Sequence, residues 1–155
     1  MEYSNGGFMR LLKQRSWECA LCSVCMATGT SITKARKDAT IVSGTNWERF
    51  RRWNGKSSQR FLRKILPSMP MDFGFIDTDR RLPIPEWGID LSRKGIINVY
   101  DSGSGQFHAM AFHKNMIYDS ELYIKASWQV WLKEAGRRWC YNPLNTIICG
   151  ILYVD

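Results

Sequence analysis

The sequence predicts an α+β domain, with helices in the first half of the chain and an antiparallel sheet in the second. Helical spacing of apolar residues is typical of the chain up to residue 66, whereas β-branched and alternating segments follow Gly95. The 155 residues include 45% hydrophobic and 23% charged side chains. This balance predicts one globular domain over residues 1–155 and excludes a largely disordered chain.

Four helices are predicted in the first half from their capping and terminating residues. Gly29 closes the first helix, Ser31 caps the second, and Pro67 ends the fourth. Asn46 caps the third, which stops before Asn54-Gly55. The predicted ranges are 18–27, 31–42, 46–53 and, from residue 57 or 58, up to Pro67.

The second half of the chain changes to the pattern of strands. A helix is also predicted there at Lys125–Ala135, with Trp128, Trp131 and Leu132 facing inward. The predicted strands are Met71–Ile76, Ile96–Tyr100, Phe107–Phe112, Ile117–Asp119 and Ile147–Val154.

A tight turn at Lys114-Asn115 would bring two acidic residues close to a histidine. In the register set by a two-residue loop, His108 pairs with Glu121 and has Asp119 as its diagonal neighbour. Because side chains alternate along a strand, all three lie on one face of the sheet. We therefore expect Asp119 to hydrogen-bond the imidazole, with Glu121 as the substitute partner.

Cys19 is the candidate nucleophile. The chain has five cysteines, so a fully paired disulfide framework is excluded, and we find no secretory signal. Cys19 opens a helix, where the dipole and an imidazolium favour the nucleophilic thiolate. The Gln14 amide and the Cys19 N–H could donate hydrogen bonds to a developing oxyanion. The predicted catalytic set is Gln14, Cys19, His108 and Asp119.

Three segments carry a resemblance to a known family: Gln14–Thr28 (QRSWECALCSVCMAT), Gly105–Phe112 (GQFHAMAF) and Ile117–Ser120 (IYDS). The chain resembles papain-like cysteine peptidases, and most closely the compact bacteriocin-processing peptidase domains of ABC transporters and related stand-alone bacterial domains. It departs from that pattern because Gln14 is one position nearer the cysteine, Ala20 replaces a glycine, and Phe107 replaces a small residue.

The resemblance implies a fold and an activity for the whole chain. The fold would be papain-like, with the nucleophile helix packed on a C-terminal antiparallel sheet. Cys19 would attack, His108 would act as the base, Asp119 would orient it, and Gln14 would stabilise the oxyanion. The implied function is thiol-dependent cleavage of an amide bond in a peptide or protein through an acyl-enzyme. An acyltransferase or a glutamine deamidase acting on a host protein would use the same site.

The charge distribution leaves a non-catalytic function open. Residues 34–64 carry ten basic and two acidic side chains, which matches the net charge of +8 of the whole chain. Such a stretch favours an acidic protein partner or, with its interleaved aromatic residues, nucleic acid. The basic side chains are equally explained as the solvent-exposed face of amphipathic helices. No known nucleic-acid-binding motif accompanies them, which weakens the nucleic-acid interpretation.

The cysteine spacing also raises the question of a metal site. Cys19, Cys22 and Cys25 are spaced like part of an iron–sulfur ligand run, but the residues between them favour a helix. We therefore predict that Cys22 and Cys25 belong to the core and expect no metal or cofactor. We also expect no membrane span and a cytoplasmic location, or export by a route that the sequence does not reveal.

Overall fold

The protein's structure, a computed structural model, describes residues 9–15, 19–43, 73–75, 89–101, 106–139 and 146–154. Two helices come before the sheet, which confirms the predicted α+β class. The helices in these ranges are α1 (Cys19–Thr28), α2 (Ile32–Ser43) and α3 (Trp128–Trp139). The strands are β1 (Phe73–Phe75), β2 (Gly95–Asp101), β3 (Gln106–His113), β4 (Met116–Asp119), β5 (Ile124–Ala126) and β6 (Thr146–Tyr153).

The described strands form one antiparallel sheet in the order β1-β6-β2-β3-β4-β5. β2 and β3 pair along their whole length, so the two strands form the middle of the sheet together with β6. Gly95 opens β2 in a tightly packed place, where an added Cβ would lie 2.6 Å from Cζ of Phe112. This position therefore has no room for a side chain.

Both faces of the sheet are buried, each against a different helix. Ile96, Ala111 and Tyr118 pack with α1 residues on one face. Ile97 and Phe112 pack with α3 residues on the other face. β2 is buried along almost its whole length, because helices cover both faces of the sheet at this central strand. The sheet is thus the middle layer between α1 and α3.

The first two helices lie where their capping residues predict. Gly29 follows α1 with a φ of 75°, in the left-handed region that favours glycine, and its N–H donates to the Cys25 carbonyl at 2.8 Å. The Ser31 hydroxyl accepts the Lys34 N–H at 3.2 Å, as an N-cap does. The predicted ranges 18–27 and 31–42 are correct to within a residue or so.

The β3–β4 hairpin has the predicted turn and register. Lys114 and Asn115 have φ values of 51° and 62°, and a two-residue type I′ turn requires positive φ at both positions. The ladder pairs His113 with Met116 and ends at Ala111 with Tyr118. His108 lies beyond the end of this ladder but remains paired with Val99 of β2. The register prediction is therefore confirmed over the length of the ladder.

The predicted helix at Lys125–Ala135 is wrong at its start. Residues 124–126 form the edge strand β5, and the helix begins at Trp128. Ser127 separates the two elements: its hydroxyl accepts the Val130 N–H at 3.3 Å and its carbonyl accepts the Trp131 N–H at 2.8 Å. Sequence reasoning missed this cap and merged the short strand with the helix. The inward position of Trp128 and Trp131 is confirmed, since both are buried.

Several predictions concern residues outside the described ranges. These are the helices at 46–53 and 57–67, and the ends of the strand at Met71–Ile76, of which β1 is the described part. The extent of the domain over residues 1–155 also stays a prediction. Among the helices that the structure describes, none combines the length and the hydropathy needed to cross a bilayer.

Candidate active site

His108 and Asp119 form a buried pair between β3 and β4. The distance from His108 Nε2 to Asp119 Oδ2 is 2.9 Å, and the two side chains are 4% and 0% exposed. The hairpin register brings them together, because His108 and Asp119 lie on the face of the sheet that packs against α3. The contact predicted from the sequence is thus present in the structure.

Four groups hold the Asp119 carboxylate in place. Oδ1 accepts the backbone N–H groups of Glu121 at 2.8 Å and Leu122 at 2.9 Å, which closes the turn after β4. Oδ2 accepts the indole N–H of Trp131 at 2.7 Å in addition to its contact with His108. Burial opposes ionisation, but His108, Trp131 and the Leu122 N–H outweigh it and hold the pKa of Asp119 below its ordinary value. The carboxylate is therefore ionised and fixed in orientation.

The pKa of His108 is set by burial and by two neighbouring side chains. Burial disfavours the imidazolium, yet the charge and hydrogen bond of Asp119, together with Cys19, raise the pKa of His108 well above its ordinary value. The ring also contacts Trp139 of α3 edge to face, with 4.9 Å between ring centroids. These contacts favour the protonated ring and hold it in place from several sides.

Cys19 is the first residue of α1 and is partly exposed, whereas Cys22 and Cys25 are buried. It lies close enough to His108 to help raise the pKa of the imidazole. Because Nε2 of the ring is taken by Asp119, the nitrogen left for the sulfur is Nδ1. The N-terminus of α1 adds the positive end of the helix dipole at the same place.

Gln14 is fixed to the residue that follows Asp119. Its backbone N–H donates to the Ser120 carbonyl at 2.9 Å, and the Ser120 hydroxyl donates to Gln14 Oε1 at 2.6 Å. Since this bond occupies the amide oxygen, the amide NH₂ of the half-buried Gln14 is the group turned to other acceptors. The Gln14 side chain is thus oriented with its amide NH₂ as the available donor.

Glu121 does not substitute for Asp119 as the orienting acid. Its Oε2 lies 3.6 Å from His108 Nδ1, on the side of the ring away from Asp119. The side chain is 49% exposed. Partial burial raises the pKa of Glu121, as does the charge of Asp119, while the charge of His108 lowers it.

Three residues of this group were not predicted to take part. Ser120, which is completely buried, sets the orientation of Gln14. Trp131 was predicted only as a core residue, although it also donates a hydrogen bond to Asp119. Trp139 was predicted only to pack or to line a groove. The inward spacing of the tryptophans was the available signal, but it does not reveal which polar partner an indole N–H meets.

Three further features of the sequence are the cysteines Cys22 and Cys25, the possible metal site and the basic stretch 34–64. Cys22 and Cys25 are 1% and 3% exposed inside a regular helix, so the prediction that they belong to the core is confirmed. Across the described residues, no group of three His, Cys, Asp or Glu side chains is arranged to hold a metal ion. Within the basic stretch 34–64 the structure describes the helix only to residue 43, so most of that stretch lies outside the described ranges.

Comparisons with models of protein families, with curated proteins and with solved structures find no match to this chain. The family resemblance therefore stays a prediction from the sequence.

Proposed function

We propose that this protein is a thiol-dependent hydrolase that cleaves an amide bond in a peptide or protein. The observation that carries the proposal is the buried His108 ring, which hydrogen-bonds Asp119 through Nε2 and whose pKa is raised in part by the nearby Cys19 at the start of α1. A nucleophile beside a base that a third group orients is the general arrangement of covalent acyl transfer.

The proposed reaction divides its steps among Cys19, His108 and Gln14. His108 takes the Cys19 proton, and the thiolate adds to the substrate carbonyl carbon to give a tetrahedral oxyanion. The Cys19 N–H and the Gln14 amide donate hydrogen bonds to that oxyanion. When the C–N bond breaks, the imidazolium returns its proton to the leaving nitrogen and an acyl-enzyme remains. Water, deprotonated by His108, then hydrolyses the thioester and releases the acid and the Cys19 thiol.

Asp119 keeps the ring in the productive tautomer and stabilises its charge. Because the pKa of His108 is raised, the ring holds the proton that it takes from Cys19. Trp139 packs against the ring edge to face, and Trp131 donates its indole N–H to Asp119. A papain-like fold is part of this proposal, supported by the order glutamine, helix-opening cysteine, strand histidine and strand-end aspartate along the chain.

Selective alkylation tests the nucleophile without a known substrate. Limiting iodoacetamide at about pH 6 labels thiolates, since ordinary thiols with a pKa of about 8.5 are then almost fully protonated. We expect peptide mapping to find the label on Cys19, and His108→Ala to slow that labelling on the order of 100-fold.

His113→Ala is the matched control, because His113 ends the same strand but lies on the opposite face from His108. It should leave the rate at Cys19 within about twofold of wild type, since it removes no contact of the pair. Slow labelling spread evenly over all five cysteines, or equal rates in the two histidine variants, would contradict the proposed function.

A further inference from the structure

Glu121 places an exposed carboxylate near Nδ1 of His108, the nitrogen that transfers protons in the proposed reaction. Its Oε2 is 3.6 Å from His108 Nδ1, whereas Asp119 occupies the opposite nitrogen of the ring. Within the described ranges, His108 is the one ion-pair partner of Glu121. The hydrolytic reaction proposed above assigns no role to this side chain.

The position of Glu121 places its carboxylate next to the leaving-group side of a bound substrate. In amide cleavage, Nδ1 delivers its proton to the leaving nitrogen, so the residue that contributes this nitrogen lies against the His108 ring. Glu121 faces the same nitrogen and is 49% exposed, so its carboxylate borders the leaving-group side. A positive charge there is attracted and a negative charge is repelled.

The local charge supports this direction of selection. The carboxylates of Asp119 and Glu121 lie at the two nitrogens of the single His108 ring. Even with that ring protonated, the two carboxylates leave an excess of negative charge among these three side chains. Of the two carboxylates, only Glu121 is exposed and able to meet a ligand, because Asp119 is fully buried.

A lysine side chain lies near the turn that contains Glu121. Lys13, next to Gln14, has its Nζ 6.0 Å from the ring centroid of Tyr123, two residues after Glu121. Tyr123 is 52% exposed and has a positive φ of 55°, which is uncommon for a residue with a side chain. An exposed aromatic ring and an exposed carboxylate thus lie in the same turn after β4.

We infer that Glu121 is a specificity-determining residue, which makes the site prefer substrates with a positive charge on the leaving-group side of the scissile bond. This inference rests on the proposed function, because it takes Cys19 as the nucleophile. The chemical class selected is a peptide or protein in which a lysine, an arginine or a free amine follows the cleaved carbonyl group. An acidic residue at that position is rejected by like charge.

Charged thiol reagents test the inference without a substrate. The probes are a cationic trimethylammonioethyl, an anionic sulfonatoethyl and a neutral methyl methanethiosulfonate, each normalised to its rate with a free cysteine peptide at about pH 7.5. We expect the cationic reagent to modify Cys19 faster than the anionic one. Glu121→Gln should reduce that cation-to-anion ratio about five- to tenfold, and Glu121→Lys should invert it.

Two controls separate the charge at the site from other effects. Glu134→Gln removes the same charge from α3, where Glu134 pairs with Arg137, and should leave the ratio unchanged. High salt should shrink the ratio of the wild type, since an exposed charge is screened. The backbone N–H that residue 121 donates to Asp119 is kept in both Glu121 variants, so the turn keeps its closing bond.

The outcomes distinguish this inference from the proposed function. A ratio that Glu121→Gln leaves unchanged, with Cys19 still labelled selectively by the neutral reagent, would overturn the inference alone. A neutral-reagent rate that falls as far in Glu121→Gln as in His108→Ala would also overturn it, because Glu121 would then activate the thiol. Failure of the neutral reagent to select Cys19 in the wild type would overturn both.

Discussion

Asp119 is the residue on which most polar contacts of the site converge. Two backbone N–H groups, an indole N–H and an imidazole surround its two oxygens, so a carboxylate that would be costly to bury unpaired is satisfied. The next residue, Ser120, holds Gln14 through one backbone and one side-chain hydrogen bond. Two neighbouring residues at one strand end thus position the side chains of His108 and Gln14.

Replacing Trp131 by phenylalanine removes one donor from this carboxylate. We expect Trp131→Phe to lower the free energy of unfolding by about 1.5–3 kcal/mol more than Trp128→Phe, because a buried ionised oxygen loses a hydrogen bond. The two tryptophans are neighbours on α3 and both are buried, which makes the second variant a size-matched control. Urea unfolding of the three proteins measures the difference, and equal losses in the two variants would contradict it.

At the scale of the elements, the β3–β4 hairpin decides which side chains share a face. A slip of one residue would move Asp119 to the α1 face and separate it from His108. The type I′ turn at Lys114 and Asn115 fixes the register, although neither residue is the glycine that such turns favour. The turn is also bonded to the rest of the protein, since the Asn115 N–H donates to the Leu91 carbonyl at 2.8 Å.

The left-handed conformation of Lys114 predicts that a glycine at this position stabilises the protein. We expect Lys114→Gly to raise the free energy of unfolding by about 0.5–1 kcal/mol, since it relieves the steric cost of a positive φ. In the exposed part of α3, Lys133→Gly should instead lower it by about 1 kcal/mol. Thermal or urea unfolding compares the two variants, and a loss of stability at both positions would contradict a type I′ turn.

At the scale of the whole molecule, the buried pair couples folding to pH. The pKa of His108 is raised in the folded protein, so its contribution to stability is fully present below its ordinary value of 6.5. That contribution is lost as the pH rises through the raised value. The pKa of Asp119 is lowered, so its contribution is present above the ordinary 3.8 and is lost as the pH falls through the lowered value.

This coupling predicts how stability changes above about pH 6.5. The difference in unfolding free energy between the wild type and His108→Gln should fall with rising pH, by at most about 1.4 kcal/mol per pH unit. Urea unfolding from about pH 5 to pH 9 measures it, with His113→Gln as the control for a change elsewhere on β3. A difference that stays constant or grows over this range would show that His108 is not protonated in the folded protein.

The sequence by itself determined the local features: the caps of α1 and α2, the turn at Lys114-Asn115, and through its register the contact of His108 with Asp119. These depend on neighbouring residues and on the two-residue period of a strand, which a sequence displays directly. The tertiary structure decided the contacts of Trp131 with Asp119, Trp139 with His108, and Ser120 with Gln14. Each joins elements whose approach is set by packing on the sheet, and no local pattern records which polar partner a buried side chain will meet.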